Sequence, residues 1–273
     1  MTRIIKSSGD SEAFSRDKLL RSLRRAGASP NQAEAVWHAM APEIRSGISS
    51  QHLQRRAIKH LRRLHRVLAA RYQLKKAMME LGPSGYPFER LIGALFEARG
   101  YTVEVGQLMQ GHCVQHEVDV LAHKNDQHVL VECKYRNTPG YKCDVKVPLY
   151  IYSRFEDIRR KKHWPPEQMQ GWVVTNTRFS SDAIQYAECM GLQLLGWDYP
   201  ERSLKYWLEH LHLYPLTVLT SLSKTQKNYL LAHNLVLCKD VLEHPELLWH
   251  LPGRTSNHLP PRILSECREI LQA

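Results

Sequence analysis

One short stretch constrains this chain more than any other. Val129–Tyr135 reads Val-Leu-Val-Glu-Cys-Lys-Tyr. Its apolar start predicts a buried strand, yet the same strand then carries Glu132 and Lys134, whose side chains, two positions apart, share a face. Upstream, Gln115–Ala122 predicts a second strand that delivers Glu117 and Asp119 to one face by the same rule. If the two strands pair as a hairpin, Asp119, Glu132 and Lys134 converge. Two carboxylates about 4 Å apart repel by about 4 kcal/mol at an effective dielectric near 20. Such a pair requires a cation, a proton or the lysine between its members, which is the chemistry of a divalent-metal site. The plainer reading is a structural ion pair between Glu132 and Lys134, and it leaves Asp119 without a role.

The charge of the chain points to a polyanionic partner and says where it would bind. The formal net charge is +11, and residues 1–85 hold 17 Lys and Arg against 6 Asp and Glu, whereas residues 86–273 hold 21 of each. The basic character therefore belongs to the first third. With 273 residues and 43% apolar content the chain can bury a substantial core, enough for two or three domains. Six cysteines are scattered without a close pair, which argues against a zinc ribbon and a secreted disulfide scaffold. No apolar run reaches the length of a membrane span and no signal-peptide core opens the chain, so a cytoplasmic protein with no membrane partner is expected. His112, His116 and His123 lie near Cys113 in sequence and open a zinc alternative, although strand alternation would send them to both faces.

Residues 1–80 read as a short strand (Arg3–Lys6), a turn at Ser8-Gly9-Asp10, a helix capped by Ser15, a second over Asn31–Ile44 and a third after Ser49-Ser50. On the third, Ala57, Leu61, Leu64 and Leu68 share one face, with Arg55, Lys59, Arg62 and Arg66 opposite and Arg56 and Arg63 beside them. That stripe fits either a phosphate backbone or a solvated helix face.

These residues resemble an ATP-cone, the nucleotide-sensing module of ribonucleotide reductases and of their transcriptional repressor. The match rests on Ile4-Ile5-Lys6-Ser7-Ser8-Gly9, Glu12, Phe14, Asp17-Lys18-Leu19, the run Ile48–Gln54 and Ala70-Arg71-Tyr72. The resemblance implies that Lys6 and Lys18 contact the phosphates of ATP or dATP, with Glu12 and Ser50 near the rest of the ligand. Two lysines near helix N-termini suit a triphosphate. The family usually has Lys-Arg-Asp-Gly where this chain has Lys6-Ser7-Ser8-Gly9, which removes a phosphate donor. A cone kept as a helical scaffold is the alternative.

Residues 81–87, around Gly82-Pro83-Ser84-Gly85-Tyr86-Pro87, read as a linker. Beyond it the pattern predicts a helix through Phe88 to Phe96 ending at Gly100, a strand at Tyr101–Val105 and then the two acidic strands. A polar stretch follows with a turn at Pro139-Gly140, then a helix over Lys146–Lys162, a strand at Gly171–Thr175, a helix capped by Ser180 or Ser181, and a strand at Leu192–Gly196. That order is an α/β core of modest size.

With its motif, residues 88–199 resemble the PD-(D/E)xK restriction-endonuclease superfamily and its Mrr-like branch: a mixed sheet flanked by helices. The resemblance rests on Phe88-Glu89-Arg90, Asp119, Glu132-Cys133-Lys134, Thr175–Ser180, Ala183, Ala187 and Gly191-Leu192. It implies a DNA endonuclease in which Asp119 and Glu132 ligate Mg²⁺ or Mn²⁺. Lys134 would orient or deprotonate the attacking water, and Glu89 would support the site from the helix. Glu117 stands where the superfamily often has proline and reads as polar support. The alternative is a nucleotide-responsive DNA-binding regulator whose nuclease fold is unused. Residues 200–273 read as a small helical domain in which Tyr229–Val236 and Asp240–Leu242 loosely resemble a helix-hairpin-helix without the usual Gly-x-Gly. Cones often assemble, so a homo-oligomer is expected.

Overall fold

The computed structural model describes residues 2–6, 9–138, 140–253 and 260–272. Ser7, Ser8 and Pro139, on which the phosphate-loop departure and two expected turns fall, lie outside the described residues. The molecule divides into two compact units, one of residues 1–75 with 261–273 and one of residues 76–260.

The first unit is mainly helical. Strands β1 (Arg3–Ile5), β2 (Ser11–Ala13) and β3 (Ile48–Ser49) form a small sheet in the order β2-β1-β3. Helix α1 (Arg16–Arg25) starts where the Ser15 hydroxyl accepts the Lys18 amide, and α2 (Pro30–Met40) starts in a capping box of Ser29 and Gln32. Helix α3 (Ser50–Leu64) is capped by Ser49. Leu23, Ala33, Val36, Ala57 and Leu61 close the core between these helices. The apolar stripe expected to run through Leu68 is interrupted. His65 takes an extended conformation (φ −163°, ψ 115°), α3 ends, and α4 (Arg66–Met79) begins. Leu64, expected on the buried face, is 49% exposed. The second helix is also shorter than expected, because Ala41–Glu43 tightens into a 3₁₀ turn around Pro42.

The second unit contains the sheet that carries the acidic strands. Helix α5 (Tyr86–Ala98) begins inside the expected linker, with Pro87 in its first turn, where a missing amide costs nothing. Leu81 and Pro87 are buried at its two ends, while Pro83 and Ser84 between them are exposed, so the Gly/Pro stretch is a surface turn anchored at both ends. Strands β4 (Thr102–Gln110), β5 (Gln115–Lys124) and β6 (Gln127–Lys134) form an antiparallel meander, and β8 (Met169–Thr175) and β10 (Gln193–Leu195) continue it in parallel, giving the order β10-β8-β6-β5-β4. β4 runs five residues beyond the expected Val105 end. Between β6 and β8 come the two-residue β7 (Lys142–Cys143) and α6 (Lys146–Lys162); β9 (Arg178–Phe179), which pairs with β7, and α7 (Ser181–Met190) follow β8.

The sheet is a middle layer. On one side α5 packs Phe96 edge-on against Trp172 of β8. On the other, Phe155 and Ile158 of α6 and Ala183 and Ala187 of α7 cover Leu130 and Val173. Gly171 of β8 allows this closeness, because a Cβ there would come 2.7 Å from Leu192 and 2.8 Å from Phe155. The mixed sheet flanked by helices is the restriction-endonuclease-like architecture expected of this region.

By compactness the residues after 200 fall into both units. Helices α8 (Leu204–His210), α9 (Lys224–Ala232) and α10 (Cys238–Glu243) belong to the same unit as the sheet, and α11 (Pro261–Leu271) belongs with residues 1–75. Arg66 at the start of α4 holds α11 through Glu269 (2.7 Å) and Ser265 (3.3 Å). The turn from α9 to α10 passes through Asn234 at φ +62°, and the Asp240 carboxylate accepts the Val236 and Leu237 amides at 2.8 Å. Among the described residues, no helix is long and apolar enough to cross a membrane.

Candidate active site

The candidate site forms where two central strands part. The β5–β6 ladder runs from Lys124 opposite Gln127 to Val120 opposite Val131 and stops there. At the next step the Asp119 carboxylate takes the place of a backbone partner, accepting the Cys133 amide at 2.6 Å. Asp119 is thereby fixed beside Glu132, on the strand that β8 continues to support through Lys134 opposite Thr175.

The tip of β6 is held by buried polar groups. Thr175 donates its hydroxyl to the Lys134 carbonyl at 2.7 Å. Asn176 bonds the backbone of Arg136 twice, accepting from its amide at 2.9 Å and donating to its carbonyl at 2.7 Å. Thr175, Asn176 and Thr177 are all buried, so their bonds fix the strand end against the core. The Thr175-Asn176-Thr177 run thus supports the backbone from which Lys134 projects.

Charge is concentrated at this strand end. Glu132 is 4% exposed at its side chain and bridges two cations, Lys134 from its own strand and Arg154 of α6 at 2.8 Å. Arg154 also donates to the Glu117 carbonyl at 3.2 Å. Tyr150, one turn earlier on α6, lies under both, 5.6 Å from the Lys134 ammonium and 5.5 Å from the Arg154 guanidinium. Burial opposes the Lys134 charge, but the field and hydrogen bond of Glu132 outweigh it and raise the ammonium pKa. Asp119 is shifted upward too, but for a carboxyl that shift favours the neutral form. Burial, then the Glu132 charge, push its carboxyl up to about 7, against the opposing Cys133 amide. Burial followed by Glu117 and Glu132 also raises the Glu89 carboxyl. Glu89 sits in the first turn of α5 and senses the cluster through its field.

The structure brings Asp119, Glu132 and Lys134 together, with Glu89 facing the same charges. Glu117 is exposed and contributes its backbone carbonyl to Arg154. Arg154 was missed in sequence. Its signal was a cation set inside the apolar stripe Ile151, Phe155, Ile158 at helical spacing. The zinc alternative is not supported. Among the described residues no three His, Cys, Asp or Glu side chains are placed to hold a metal ion. His116 and the Cys113 and Val114 amides instead bind Asp157 of α6, at 2.8, 2.9 and 3.3 Å, pinning the β4–β5 turn to that helix.

The carboxylate pair fits a divalent cation by its chemistry. Asp119 and Glu132 offer hard oxygens, and a magnesium-type ion characteristically takes one or two carboxylates and completes its shell with water and phosphate oxygens. The elevated Asp119 pKa marks a carboxylate whose charge the surrounding protein leaves partly uncompensated.

In the first unit Lys6, Glu12 and Lys18 also come together. Glu12 of β2 contacts the Lys6 ammonium at 2.7 Å and the Lys18 ammonium at 3.6 Å. The hydrogen bond from Lys6, opposed by burial and helped by the Lys18 charge, lowers the Glu12 pKa. Ser50 opens α3, one residue after Ser49, which pairs with Ile5 beside Lys6.

Comparison with known proteins places these regions. Residues 2–76 match the family model of the ATP cone domain, residues 82–198 that of a restriction endonuclease, and residues 214–271 that of the AF1548-like C-terminal region. An uncharacterized protein of Archaeoglobus fulgidus is 37% identical over 153 residues, 56% of this chain and 84% of its own length. The crystal structure of AF1548, a protein of unknown function, aligns at 31% identity with a TM-score of 0.57, covering 69% of this chain and 99% of that one. MspJI restriction endonuclease in complex with a 27-mer oligonucleotide is more distant, with 14% identity and a TM-score of 0.34 across 87% of this chain and 48% of that one. With an ATP cone at its start and a restriction endonuclease domain after it, the chain belongs to the AF1548-like family.

Proposed function

We propose that this chain is a divalent-metal-dependent DNA endonuclease of Mrr-like type that hydrolyses phosphodiester bonds. Asp119, Glu132 and Lys134, at the parting ends of two buried strands, carry that reading. Mg²⁺ or Mn²⁺ at Asp119 and Glu132 would polarise the phosphodiester and make water acidic enough to attack it. The protein's own groups do the rest. Lys134 positions the water and balances charge developing on the phosphate, Arg154 holds Glu132 in place, and Glu89 orders solvent at the α5 side. The cone would bind ATP or dATP through Lys6 and Lys18, with Glu12 and Ser50 alongside, and couple nucleotide level to cleavage or to assembly as a homo-oligomer.

The decisive experiment is cleavage of supercoiled plasmid, methylated and unmethylated, with Mg²⁺ or Mn²⁺, with a chelator, and with and without ATP. Metal-dependent nicking that the chelator stops is expected. One observation favours a second reading: Lys134 and Arg154 already compensate Glu132, as a purely structural cluster would. A chain that binds DNA in a nucleotide-responsive way yet never cuts under these conditions would be the regulator.

A further inference from the structure

Helix α3 carries a charged face that neither the cone's nucleotide residues nor the nuclease site uses. Arg55, Lys59 and Arg63 are exposed and Arg62 is half-buried, while Leu53, Ala57, Ile58 and Leu61 fill the opposite, buried side. Spacings of four, three and one residues keep the four cations within one stripe that rises about 12 Å along the axis.

These charges are left without counter-charges. The unit of residues 1–75 and 261–273 holds 18 Lys and Arg against 7 Asp and Glu, and residues 76–260 hold 20 of each. The acids near α3 are already taken: Glu43 pairs with Arg56, and Glu269 pairs with Arg66 at 2.7 Å. Among the described residues, Arg55, Lys59, Arg62 and Arg63 have no acidic partner. Like charges at i,i+3 and i,i+4 weaken a helix, so this arrangement opposes the stability of α3. Arg62 and Arg63 do complement the helix C-terminus, but Arg55 and Lys59 lie in its middle, where that benefit is absent. His60 on the same helix registers the field: burial, then Arg63, with Arg56 and Lys59 adding to them against Glu43, hold its imidazole pKa down.

We infer that the exposed face of α3 is a docking surface for the phosphate backbone of duplex DNA. The cone would then serve as a sequence-independent grip, a task separate from sensing nucleotide. Charge complementarity argues for a polyanion: a linear row of four unpaired cations matches a linear row of phosphates. A second reason is that the nuclease unit, with zero net charge, has no surplus of its own with which to hold DNA. The choice of DNA as the polyanion rests on the nuclease reading.

The test is equilibrium binding of the full-length chain to a labelled DNA duplex in EDTA, where no cleavage occurs, at several salt concentrations. The variant Arg55→Gln, Lys59→Gln, Arg62→Gln, Arg63→Gln is compared with a control that removes the same charge from the second unit: Arg160→Gln, Lys161→Gln, Lys162→Gln, Lys224→Gln. Thermal melts establish that both remain folded; if the α3 variant unfolds, the pair Arg55→Gln, Lys59→Gln replaces it. The α3 variant should bind at least about tenfold more weakly, and the slope of log K against log salt should shrink by about 0.9 for each phosphate no longer neutralised. The control should lose less than about threefold by the same counterion logic. An unchanged slope in the α3 variant, equal losses in the two variants, or stronger binding to duplex RNA would each overturn the inference. Because no cutting is measured, a chain that grips DNA through α3 but fails the plasmid assay would count against the nuclease reading alone.

Discussion

Glu132 and Glu12 make the same kind of cluster, a carboxylate between two cations, and they differ in burial. The Glu132 side chain is 4% exposed, with Lys134 and Arg154 at 25% and 26%, whereas Glu12 is 32% exposed, with Lys6 and Lys18 at 45% and 62%. Out of water, attraction and desolvation are both large, so removing one partner strands a charge at a cost of roughly 3–5 kcal/mol. In water the same contacts contribute little and loosen with salt. The first cluster is therefore a fixed arrangement bound into the fold. The second is an exchangeable one, whose lysines can leave their carboxylate for a phosphate at little cost.

The sharpest way to break the buried cluster is at Lys134. Lys134→Ala should reduce metal-dependent plasmid nicking by about 10³-fold or more, at the upper end of what one positioned acid–base group contributes. DNA affinity measured in EDTA should stay nearly unchanged. Nicking at the wild-type rate would remove Lys134 from the catalytic machinery.

Arg154 comes next, because it acts through Glu132. Arg154→Met keeps much of the stem's volume but leaves Glu132 with Lys134 as its single cation. With one partner retained, the expected stability loss is about 2 kcal/mol, below the full cost of an unpaired buried charge. Nicking should fall about 10²-fold in kcat with KM for DNA little changed, the pattern of a misplaced group, and should require more Mg²⁺ for half-saturation. Arg154→Lys should restore stability better than rate, since the lysine ammonium ends one atom short of the Nη1 that contacts both Glu132 and the Glu117 carbonyl. Equal restoration of both would reduce Arg154 to a structural role.

Asp119 makes the comparison depend on pH. Its carboxyl is held at about 7, above the ordinary aspartate value, so the fold prefers the neutral form. The stability this contributes is present below about pH 4 and lost as pH rises through 7. In metal-free protein, wild type should therefore lose thermal stability relative to Asp119→Asn between pH 5 and 8, by on the order of 5 °C. Mg²⁺ at pH 8 should restore wild type and leave the variant unchanged. Parallel melting curves across this range would show that Asp119 is not a strained acid.

The sequence made the apolar strands and the caps at Ser15 and Ser180 legible because they rest on local periodicity, and the Asp119–Glu132–Lys134 constellation because two strands close in sequence pair as neighbours, with Glu132 and Lys134 two apart on one of them. The parting of β5 from β6 was not legible. It depends on a side chain, Asp119, substituting for a strand partner, and alternation predicts no such event. The break at His65 was also hidden, since Leu61, Leu64 and Leu68 continue a helical period across it and the exposure of Leu64 follows from tertiary packing. Arg154 and α11 share the remaining reason. Both act over long sequence distances, 22 residues to Glu132 and 203 from Glu269 back to Arg66, where one sequence carries no register.

The smallest expected effect lies at Glu12, and it tests the exposed half of the comparison. Glu12→Gln should leave stability nearly unchanged, because Lys6 and Lys18 return to solvent when their partner is neutralised. Chemical denaturation at low and high salt measures this, and the difference from wild type should shrink as salt rises. The same substitution should act more clearly on nucleotide. If ATP phosphates displace the carboxylate from the two lysines, removing the competitor should tighten binding by calorimetry, whereas Lys18→Ala should weaken it more than tenfold. If Glu12 instead contacts the ligand directly, Glu12→Gln would weaken binding too, and the carboxylate would be part of the nucleotide site. A stability loss as large as that expected at Arg154, persisting in high salt, would mean that the two clusters are equivalent after all and that exposure does not separate a fixed arrangement from an exchangeable one.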